Sequence, residues 1–251
     1  MRMERSLTDK ALSEQRGMVG AAVVLALGLI TAATIGAYTF YTVHTLDNTL
    51  AVTGSAMQTA TADSGKLTVS VSRSALETTI PNVQARVSDD TQAVVKFFGD
   101  AGIAADQILV NPVSVDQEYS SDANAPRRYT IRQQIVAQSD DAEAIDKLSK
   151  NIGSLSAKGV IVSVNPPEYY ISMLPQIRIA LIGKAVQDAR ARAMEIASST
   201  DRKVGALQSA SSGVVQVMAP NSVNVADYGS YDTSTIEKQV MVTARAVFLL
   251  R

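Results

Sequence analysis

The sequence PQIRIALIGKAVQDARARAMEIAS, residues Pro175–Ser198, is the longest stretch of the chain in which apolar residues recur every three or four positions. This spacing predicts an amphipathic helix, because positions three and four apart lie on the same helical face. Charges of alternating sign follow a second face, which favours a solvated surface with weak ion pairs over a catalytic row: Lys184, Asp188, Arg192 and Glu195. The predicted apolar stripe consists of Ile179, Ile182, Val186, Ala189, Ala193 and Ile196.

Strand and helix signals alternate upstream of this helix. Apolar and polar residues alternate over Lys66–Arg73, as in a half-buried strand. A helix is predicted over Pro81–Gly99, and Ile108–Tyr119 is strand-like but interrupted by Pro112. A short polar loop leads from there into Tyr129–Ala137, so these two strands are predicted to form a hairpin. The stripe of the helix is Val83, Val87, Val94 and Phe98.

A second unit with a partly repeated strand-helix-strand-strand order follows. Asp140 and Glu143 have the spacing of a capping box, and the helix that they introduce is predicted to end near Gly159. A strand is expected from Val160 to Val164, because apolar residues alternate there. The apolar stripe of this helix is Ile145, Leu148, Ile152 and Leu155.

The C-terminal part of the chain predicts strands. Short strands are expected at Lys203–Leu207 and Val214–Met218, then a polar loop over Ala219–Glu237 and a final strand over Gln239–Leu250. The sequence therefore predicts an α+β fold, with a mixed or antiparallel sheet and about three packed helices. One face of the final strand carries Val240, Val242, Ala244, Ala246, Phe248 and Leu250.

The N-terminal region contains no charged residue from Gly17 to Leu46. An apolar run of this length predicts one transmembrane helix over residues 17–43, because about 20 apolar residues cross the hydrocarbon core. A cleavable signal peptide has a shorter apolar core, of about 7 to 15 residues, and a buried helix would show a polar face. These two alternatives are weaker than an uncleaved signal anchor.

Basic residues lie before this helix, and the first one after it is Lys66. The positive-inside rule then predicts a cytoplasmic N-terminus and a single-pass protein of the inner, cytoplasmic membrane. The bilayer is the expected partner of residues 17–43, and the C-terminal part is expected in the periplasm or outside the cell. The basic residues in question are Arg2, Arg5, Lys10 and Arg16.

These observations predict four regions. Residues 1–16 form a cytoplasmic tail, 17–43 the transmembrane helix, 44–65 a linker and 66–251 the folded domain. The linker prediction depends on the stretch from Asp47 to Gly65, which is small and polar with little to bury.

Composition excludes several classes of site. The net charge is −1, and four basic and three acidic residues lie in the first sixteen positions, which leaves about −2 for the rest. No basic stripe is present, so we expect no nucleic-acid partner. The chain contains no cysteine, and its single histidine is His44. We therefore expect no metal, no cofactor and no catalytic residue of the common types in the domain.

Carboxylates are the remaining candidates for chemistry. Asp89 with Asp90 and Asp140 with Asp141 could act as acid and base, but adjacent residues on a helix point to different faces. A capping or surface role is favoured for both pairs. The late loop could bind a cation or a partner, although turn formation with a packed tyrosine is favoured there: Asp227, Tyr228, Asp232 and Glu237.

The helix and the strand after it resemble the signature of the SIMPL domain family, A-x-x-D-A-R-x-K/R-A. The matching positions include Ala185, Asp188, Ala189 and Arg192, while Asp201 and its neighbour replace a leucine-glycine pair of many members. The phrases LTVSVSR, KFFGDAGI, DQILVNPVSVDQEY and RRYTIRQQIVAQS follow the family in order and spacing. The resemblance extends over residues 66–251.

The resemblance implies an exported envelope domain. Some members are similar to proteins that assemble into large ring-like or channel-like oligomers, and links to oxidative stress have been proposed. It implies no catalytic residue, so the matched aspartate and arginines are interpreted as helix determinants. Two hypotheses follow: a membrane-anchored, non-enzymatic protein that acts as a homo-oligomer or by binding a partner, or a carboxylate-based hydrolase acting on envelope material.

Overall fold

A computed structural model of the chain describes residues 22–41, 48–122, 125–222 and 228–251. The first helix, α1, spans Ala22–Tyr41, with none of its apolar length buried, and it is long and apolar enough to cross a membrane. The predicted helix over 17–43 is confirmed over these twenty residues. The rest of that range and the tail 1–16 lie outside the described residues.

The elements after α1 are strands and four further helices in the described part of the chain. The helices are α2 (Ile80–Asp100), α3 (Ala142–Asn151), α4 (Ser154–Ala157) and α5 (Leu174–Ser198). The strands are β1 (Thr49–Thr61), β2 (Ser64–Leu76), β3 (Ile108–Val110), β4 (Ser114–Gln117), β5 (Arg128–Ser139), β6 (Val162–Val164), β7 (Glu168–Tyr170), β8 (Val204–Met218), β9 (Ser230–Tyr231) and β10 (Glu237–Leu250).

The described residues form two compact units. The larger one consists of 52–192 and 210–246, and the smaller one of segments up to Ala51, Ala193–Ser209 and Val247–Arg251. Four elements, β1, α5, β8 and β10, contribute residues to both units.

A six-stranded sheet in the larger unit has the order β3-β5-β2-β6, with β4 also beside β5 and β7 beside β2. Its strand pairs are antiparallel, and Val69 of β2 lies opposite Ile135 of β5. If β3 with β4, α3 with α4 and β6 with β7 are each counted as one interrupted element, the chain order is strand, helix, two strands, helix, strand. With this sheet order it is a split β-α-β unit. The predicted hairpin is confirmed, since β3 and β4 both pair with β5 on either side of Pro112.

Helices α2, α3 and α4 supply the other half of this core. The core lies between the alternating side chains of β2 and β5 and the apolar stripes of these helices. The predicted stripes of α2 and of the second helical region are therefore confirmed. The side chains of this core with at most 2 % exposure are Leu67, Val69, Val71, Val87, Val94, Phe98, Ile131, Ile135, Ala137, Ile145, Leu148 and Leu155.

The start of α3 differs from the predicted capping box by one residue. Asp141, not Asp140, is the N-cap, and its Oδ1 accepts hydrogen bonds from the backbone N–H groups of Glu143 (2.9 Å) and Ala144 (3.2 Å). Two adjacent aspartates give the same local signal, and backbone geometry selects the second one. The end near Gly159 is confirmed: its φ of +81° is the left-handed conformation that suits glycine.

A four-stranded sheet has the order β1-β10-β8-β9. The central strand β10 confirms the predicted apolar face, although Leu250 is only half-buried. The two strands predicted at Lys203–Leu207 and Val214–Met218 are one strand, β8. The polar residues between them hide its continuity, because an exposed strand needs no apolar alternation. The buried residues of β10 are Val240, Val242, Ala244, Ala246 and Phe248.

The prediction of a tether from Asp47 to Gly65 is wrong. Strand β1 occupies Thr49–Thr61, and β2 begins three residues later at Ser64. Small residues are present in β1 because another backbone lies against it: Gly54 is buried, and a Cβ atom there would lie 2.2 Å from the carbonyl oxygen of Ala185. The small side chains thus reflect close packing and not a solvated chain.

The bounds of α5 are confirmed, and its predicted stripe is confirmed in part: Ala189 and Ala193 are buried, and Ile182 and Val186 are half-buried. The two ends of the stripe are wrong. Ile179 and Ile196 are 72 % and 47 % exposed. Alanines spaced four residues apart occupy the buried face, because the β1 backbone approaches the helix too closely at Gly54 for larger side chains. The buried residues of α5 are Leu181, Ala185, Ala189, Ala193 and Ala197.

Substitution of Gly54 by alanine tests this contact. The added Cβ would lie 2.2 Å from Ala185 O and 2.3 Å from Ala189 N, which are backbone atoms that cannot rotate away. We expect Gly54→Ala to lower the free energy of unfolding by about 3 kcal/mol, measured by chemical denaturation of the full chain.

Gly99→Ala is the matched control. Beyond its chain neighbours and the adjacent backbone of α2, no atom lies within 4 Å of a Cβ at this position, so we expect a gain of about 0.5 to 1 kcal/mol. Equal effects of the two substitutions would contradict the packing argument.

Candidate functional site

The charged residues of α5 connect the helix to strand β1. The Oδ2 atom of Asp188 accepts a hydrogen bond from the backbone N–H of Ser55 (2.8 Å) and another from Nε of Arg192 (2.8 Å). A carboxylate forms a stronger hydrogen bond with a backbone N–H than a neutral acceptor does. Strand β1 is at the edge of its sheet, so Asp188 also pairs a backbone group that the sheet leaves open. The interpretation of Asp188 as one of a solvated row is therefore incomplete.

The two candidate carboxylate pairs do not form acid-base dyads. Asp90 is buried, and its two oxygens accept hydrogen bonds from Arg73 at 2.6 and 3.0 Å, whereas Asp89 is exposed. This bidentate pair raises the pKa of Arg73 further. Asp141 caps α3, and Asp140 is exposed. One member of each pair has a structural partner, and the other faces solvent.

The late loop supports the turn interpretation. Asp232 Oδ1 accepts hydrogen bonds from the backbone N–H and the hydroxyl of Ser234, both at 2.8 Å. The expectation of a packed tyrosine is wrong, since Tyr228 is 91 % exposed. Glu237 is exposed, and Asp227 lies outside the described residues. Within the described ranges, no three carboxylates or histidines lie together as metal ligands.

One group of ionisable side chains is a tyrosine cluster, formed by Lys66, Glu168, Tyr170 and Tyr231. Nζ of Lys66 lies 3.0 Å from Oε2 of Glu168, and the Tyr170 hydroxyl donates a hydrogen bond to the same oxygen. The rings of Tyr170 and Tyr231 are 5.9 Å apart between centroids. The Tyr231 hydroxyl accepts a hydrogen bond from the backbone N–H of Ile171 (2.8 Å), so the cluster positions β9 beside the residue that follows β7.

The hydrogen bonds of this cluster stabilise its resting charges. The bond from Tyr170 lowers the pKa of Glu168, and the same bond raises the pKa of Tyr170. Glu168 likewise raises the pKa of Lys66. All three shifts move the pKa of the group further from neutral pH. A general acid or base needs a pKa near neutral pH. The cluster is suited to positioning the chain, not to transferring protons.

Lys238, at the start of β10, is a residue of this region that sequence patterns do not single out. Its side chain is 0 % exposed, its Nζ donates a hydrogen bond to the carbonyl oxygen of Asp232 (2.6 Å), and it lies 5.8 Å from the centroid of the Tyr231 ring. Burial lowers its pKa. A single lysine in an alternating strand gives no sequence signal, since exposed lysines are far more common.

Two open, polar pockets lie on the six-stranded sheet. One of about 600 Å³ adjoins the tyrosine cluster, and one of about 470 Å³ lies on the sheet near Arg132. Hydroxyl and amide groups dominate both, so they can form hydrogen bonds but enclose no apolar ligand. The lining residues are Ser64, Gly65, Lys66, Asp106, Gln107, Gln138, Ser139, Asp140 and Tyr170 in the first, and Ser70, Ser72, Asn111, Pro112, Ser114, Arg132, Gln134, Ser163 and Asn165 in the second.

Residues 50–248 match a family model described as SIMPL, a protein of unknown function (DUF541). The chain belongs to the SIMPL family. The match begins inside β1, which agrees with the structure in assigning this strand to the SIMPL domain. The signature residues of the helix thus have a structural role: Ala185 and Ala189 allow the close approach to β1, and Asp188 binds its backbone.

Comparison with curated proteins gives no match for this SIMPL protein. Among solved structures, a de novo designed protein, Foldit4, is similar over 41 % of this chain and 93 % of its own, at 14 % identity and a TM-score of 0.18. At that TM-score the likeness carries no argument about fold or function.

Substitution of Asp188 by alanine tests the role of the signature. It leaves the Ser55 N–H without its charged acceptor, so we expect a loss of about 1.5 to 3 kcal/mol in the free energy of unfolding. Asp100→Ala is the matched control, because Asp100 also pairs at i,i+4, with Lys96, but both side chains are exposed.

For the control we expect a loss of no more than about 0.5 kcal/mol, as is usual for an exposed ion pair. Similar losses in the two variants, measured by the same denaturation, would show that the Ser55 contact contributes nothing beyond the helical ion pair.

Proposed function

We propose that this SIMPL protein is anchored in the inner membrane by α1, with its domain outside the cytoplasm, and that it acts without catalysis by assembling with copies of itself. The anchor is supported by the length and exposure of α1 and by the basic residues before it. The structural partners of Asp90 and Asp141 and the resting charges of the tyrosine cluster support a role other than catalysis.

The outer edge of strand β8 is the observation that carries the assembly proposal. Its fifteen residues, VGALQSASSGVVQVM, contain neither charge nor proline, and residues 206–212 are all exposed. In the described part of the chain, β9 covers this edge only at Gln216 and Val217. Monomeric proteins usually protect long edges with charges, prolines or bulges. An unprotected edge of this length fits a second strand.

The hairpin edge is the other candidate for contacts between copies. Strands β3 and β4 expose Leu109 (56 %), Val110 (40 %) and Val115 (43 %). Pro112 interrupts this edge, however, and Asp116 adds a charge to it, so it has two of the usual protective features. We therefore place the main contact at β8, where a neighbouring copy can extend the four-stranded sheet.

Lysine substitutions distinguish the two edges. We expect the full chain in detergent to have the mass of an oligomer, measured by native mass spectrometry. Ser209→Lys with Ser211→Lys places like charges where two β8 edges or a β8 edge and another strand would meet, and it should weaken association by about tenfold or more.

Ser114→Lys with Gln117→Lys on β4 is the matched control and should leave the mass unchanged. Dissociation caused by the β4 variant alone would move the interface to the hairpin. A wild-type chain that is monomeric at high micromolar concentration would contradict assembly altogether.

The proposed topology predicts protease sensitivity from one side of the membrane. In spheroplasts of an expressing bacterium, external protease should degrade the SIMPL domain, and intact mass before digestion should include residues 1–43. Inverted vesicles are the control, because the domain is then enclosed and should be protected. Protection in spheroplasts would place the domain in the cytoplasm, and a mass that lacks the first residues would show cleavage and secretion.

A further inference from the structure

Four residues of the smaller unit lie together where β1 begins, β10 ends and the turn from α5 to β8 runs. We call them the basic end: Asn48, Arg202, Lys203 and Arg251. The Leu250 N–H donates a hydrogen bond to the Asn48 carbonyl (2.7 Å), and the Arg202 guanidinium donates one to the Asn48 side chain. Two backbone hydrogen bonds of 2.8 Å join Lys203 and Arg251. Three cationic side chains are therefore presented by one end of the sheet.

The covalent chain keeps this end close to the membrane helix. Helix α1 ends at Tyr41, and Asn48 is seven residues further along. Seven residues span at most about 25 Å even when fully extended. This is less than the thickness of the hydrocarbon core, so the basic end cannot leave the vicinity of the surface from which α1 emerges.

The cations of the basic end are available to a ligand. Arg202, Lys203 and Arg251 are exposed, and none forms an ion pair with a residue that the structure describes. Glu195 and Asp201 are the acidic residues of the described segments of this unit beyond the membrane helix, so its basic side chains outnumber its acidic ones.

Apolar side chains of the same unit are exposed as well. Met194 is 55 %, Ile196 47 % and Leu207 47 % exposed. Basic residues together with exposed apolar side chains are typical of protein surfaces that lie in the headgroup region, where the apolar groups enter the boundary and the cations bind phosphates.

We propose that the basic end docks on the bilayer that holds α1, by binding anionic phospholipid headgroups through Arg202, Lys203 and Arg251. The proposal rests on the proposed function in one respect, since α1 must cross the membrane. The bilayer is proposed as the binding partner because the seven residues between Tyr41 and Asn48 hold the basic end near it, and because its anionic headgroups complement the cations.

A tryptophan probe tests the docking, because the chain contains no tryptophan. Leu207→Trp in the full chain is reconstituted into nanodiscs of phosphatidylcholine or of equal parts phosphatidylcholine and phosphatidylglycerol, each with a nitroxide-labelled headgroup. We expect at least about twofold stronger quenching in the anionic discs. Met194→Trp is the second reporter, should the first variant fail to fold.

Charge reversal provides the decisive comparison. Arg202→Glu with Lys203→Glu, added to the reporter, should remove the extra quenching by anionic lipid. Arg127→Glu with Lys158→Glu changes the net charge equally at two exposed residues that have no ion pair in the described structure, and it should leave the quenching unchanged.

Two failures are distinguishable. A protein that remains in the nanodiscs after an alkaline carbonate wash but shows no lipid-dependent quenching, or equal loss in both charge variants, overturns the docking and leaves the anchor intact. A protein that the carbonate wash removes from the discs overturns the anchor and the docking together.

Discussion

The close contact between the backbones of α5 and β1 is the constraint on which the four-stranded sheet depends. Gly54 is buried under Ala185 and Ala189, and a single added methyl group would overlap the helix backbone. The same approach brings Oδ2 of Asp188 to 2.8 Å from the Ser55 backbone nitrogen. Dispersion and hydrogen bonding both weaken steeply with distance, so both contacts depend on this approach. The packing contact and the hydrogen bond therefore depend on the same close approach of α5 to β1. The family signature supplies the helix residues that make both contacts.

Ionisable groups elsewhere in the larger unit serve the fold in a similar way. Arg73 and Asp90 connect β2 to α2, Lys66 and Glu168 connect β2 to β7, and Lys238 binds the carbonyl of Asp232. Asp90 is buried, so removal of Arg73 would leave a carboxylate without its charged partner inside the core, which is costly.

Much of the fold could be predicted from the sequence, and the exceptions have physical causes. The stripes of α2 and of α3 with α4 and the apolar face of β10 follow directly from periodicity, because large side chains fill those cores. In α5, by contrast, periodicity selected Ala189 and Ala193 correctly but also the exposed Ile179 and Ile196, because it does not show that the close contact requires alanine. The same contact makes β1 small and polar enough to resemble a linker.

The candidate site was less predictable. The signature residue Asp188 was recognised by resemblance, but its bond to Ser55 joins residues 133 positions apart and has no local signal. The tyrosine cluster and Lys238 likewise combine distant residues whose individual types are ordinary. The sequence also does not show which strands lie at the edge of a sheet, because this depends on the order of the strands. The exposed edge of β8 is therefore known only from the sheet topology.

The sheet order has a consequence for the time at which the protein can finish folding. Strands β2 to β7 are contiguous, so the six-stranded sheet is complete once Tyr170 has been synthesised. Strand β1 is made before all of them, yet its neighbour β10 is made last, and Leu250 binds Asn48 across 202 positions. Until then β1 is a nascent, uncharged segment without its partner, and closure of a loop of that length is slow. A chain released before β10 has been synthesised would therefore contain a complete six-stranded sheet, whereas β1 would lack its strand partner. Chaperones bind intermediates of this kind.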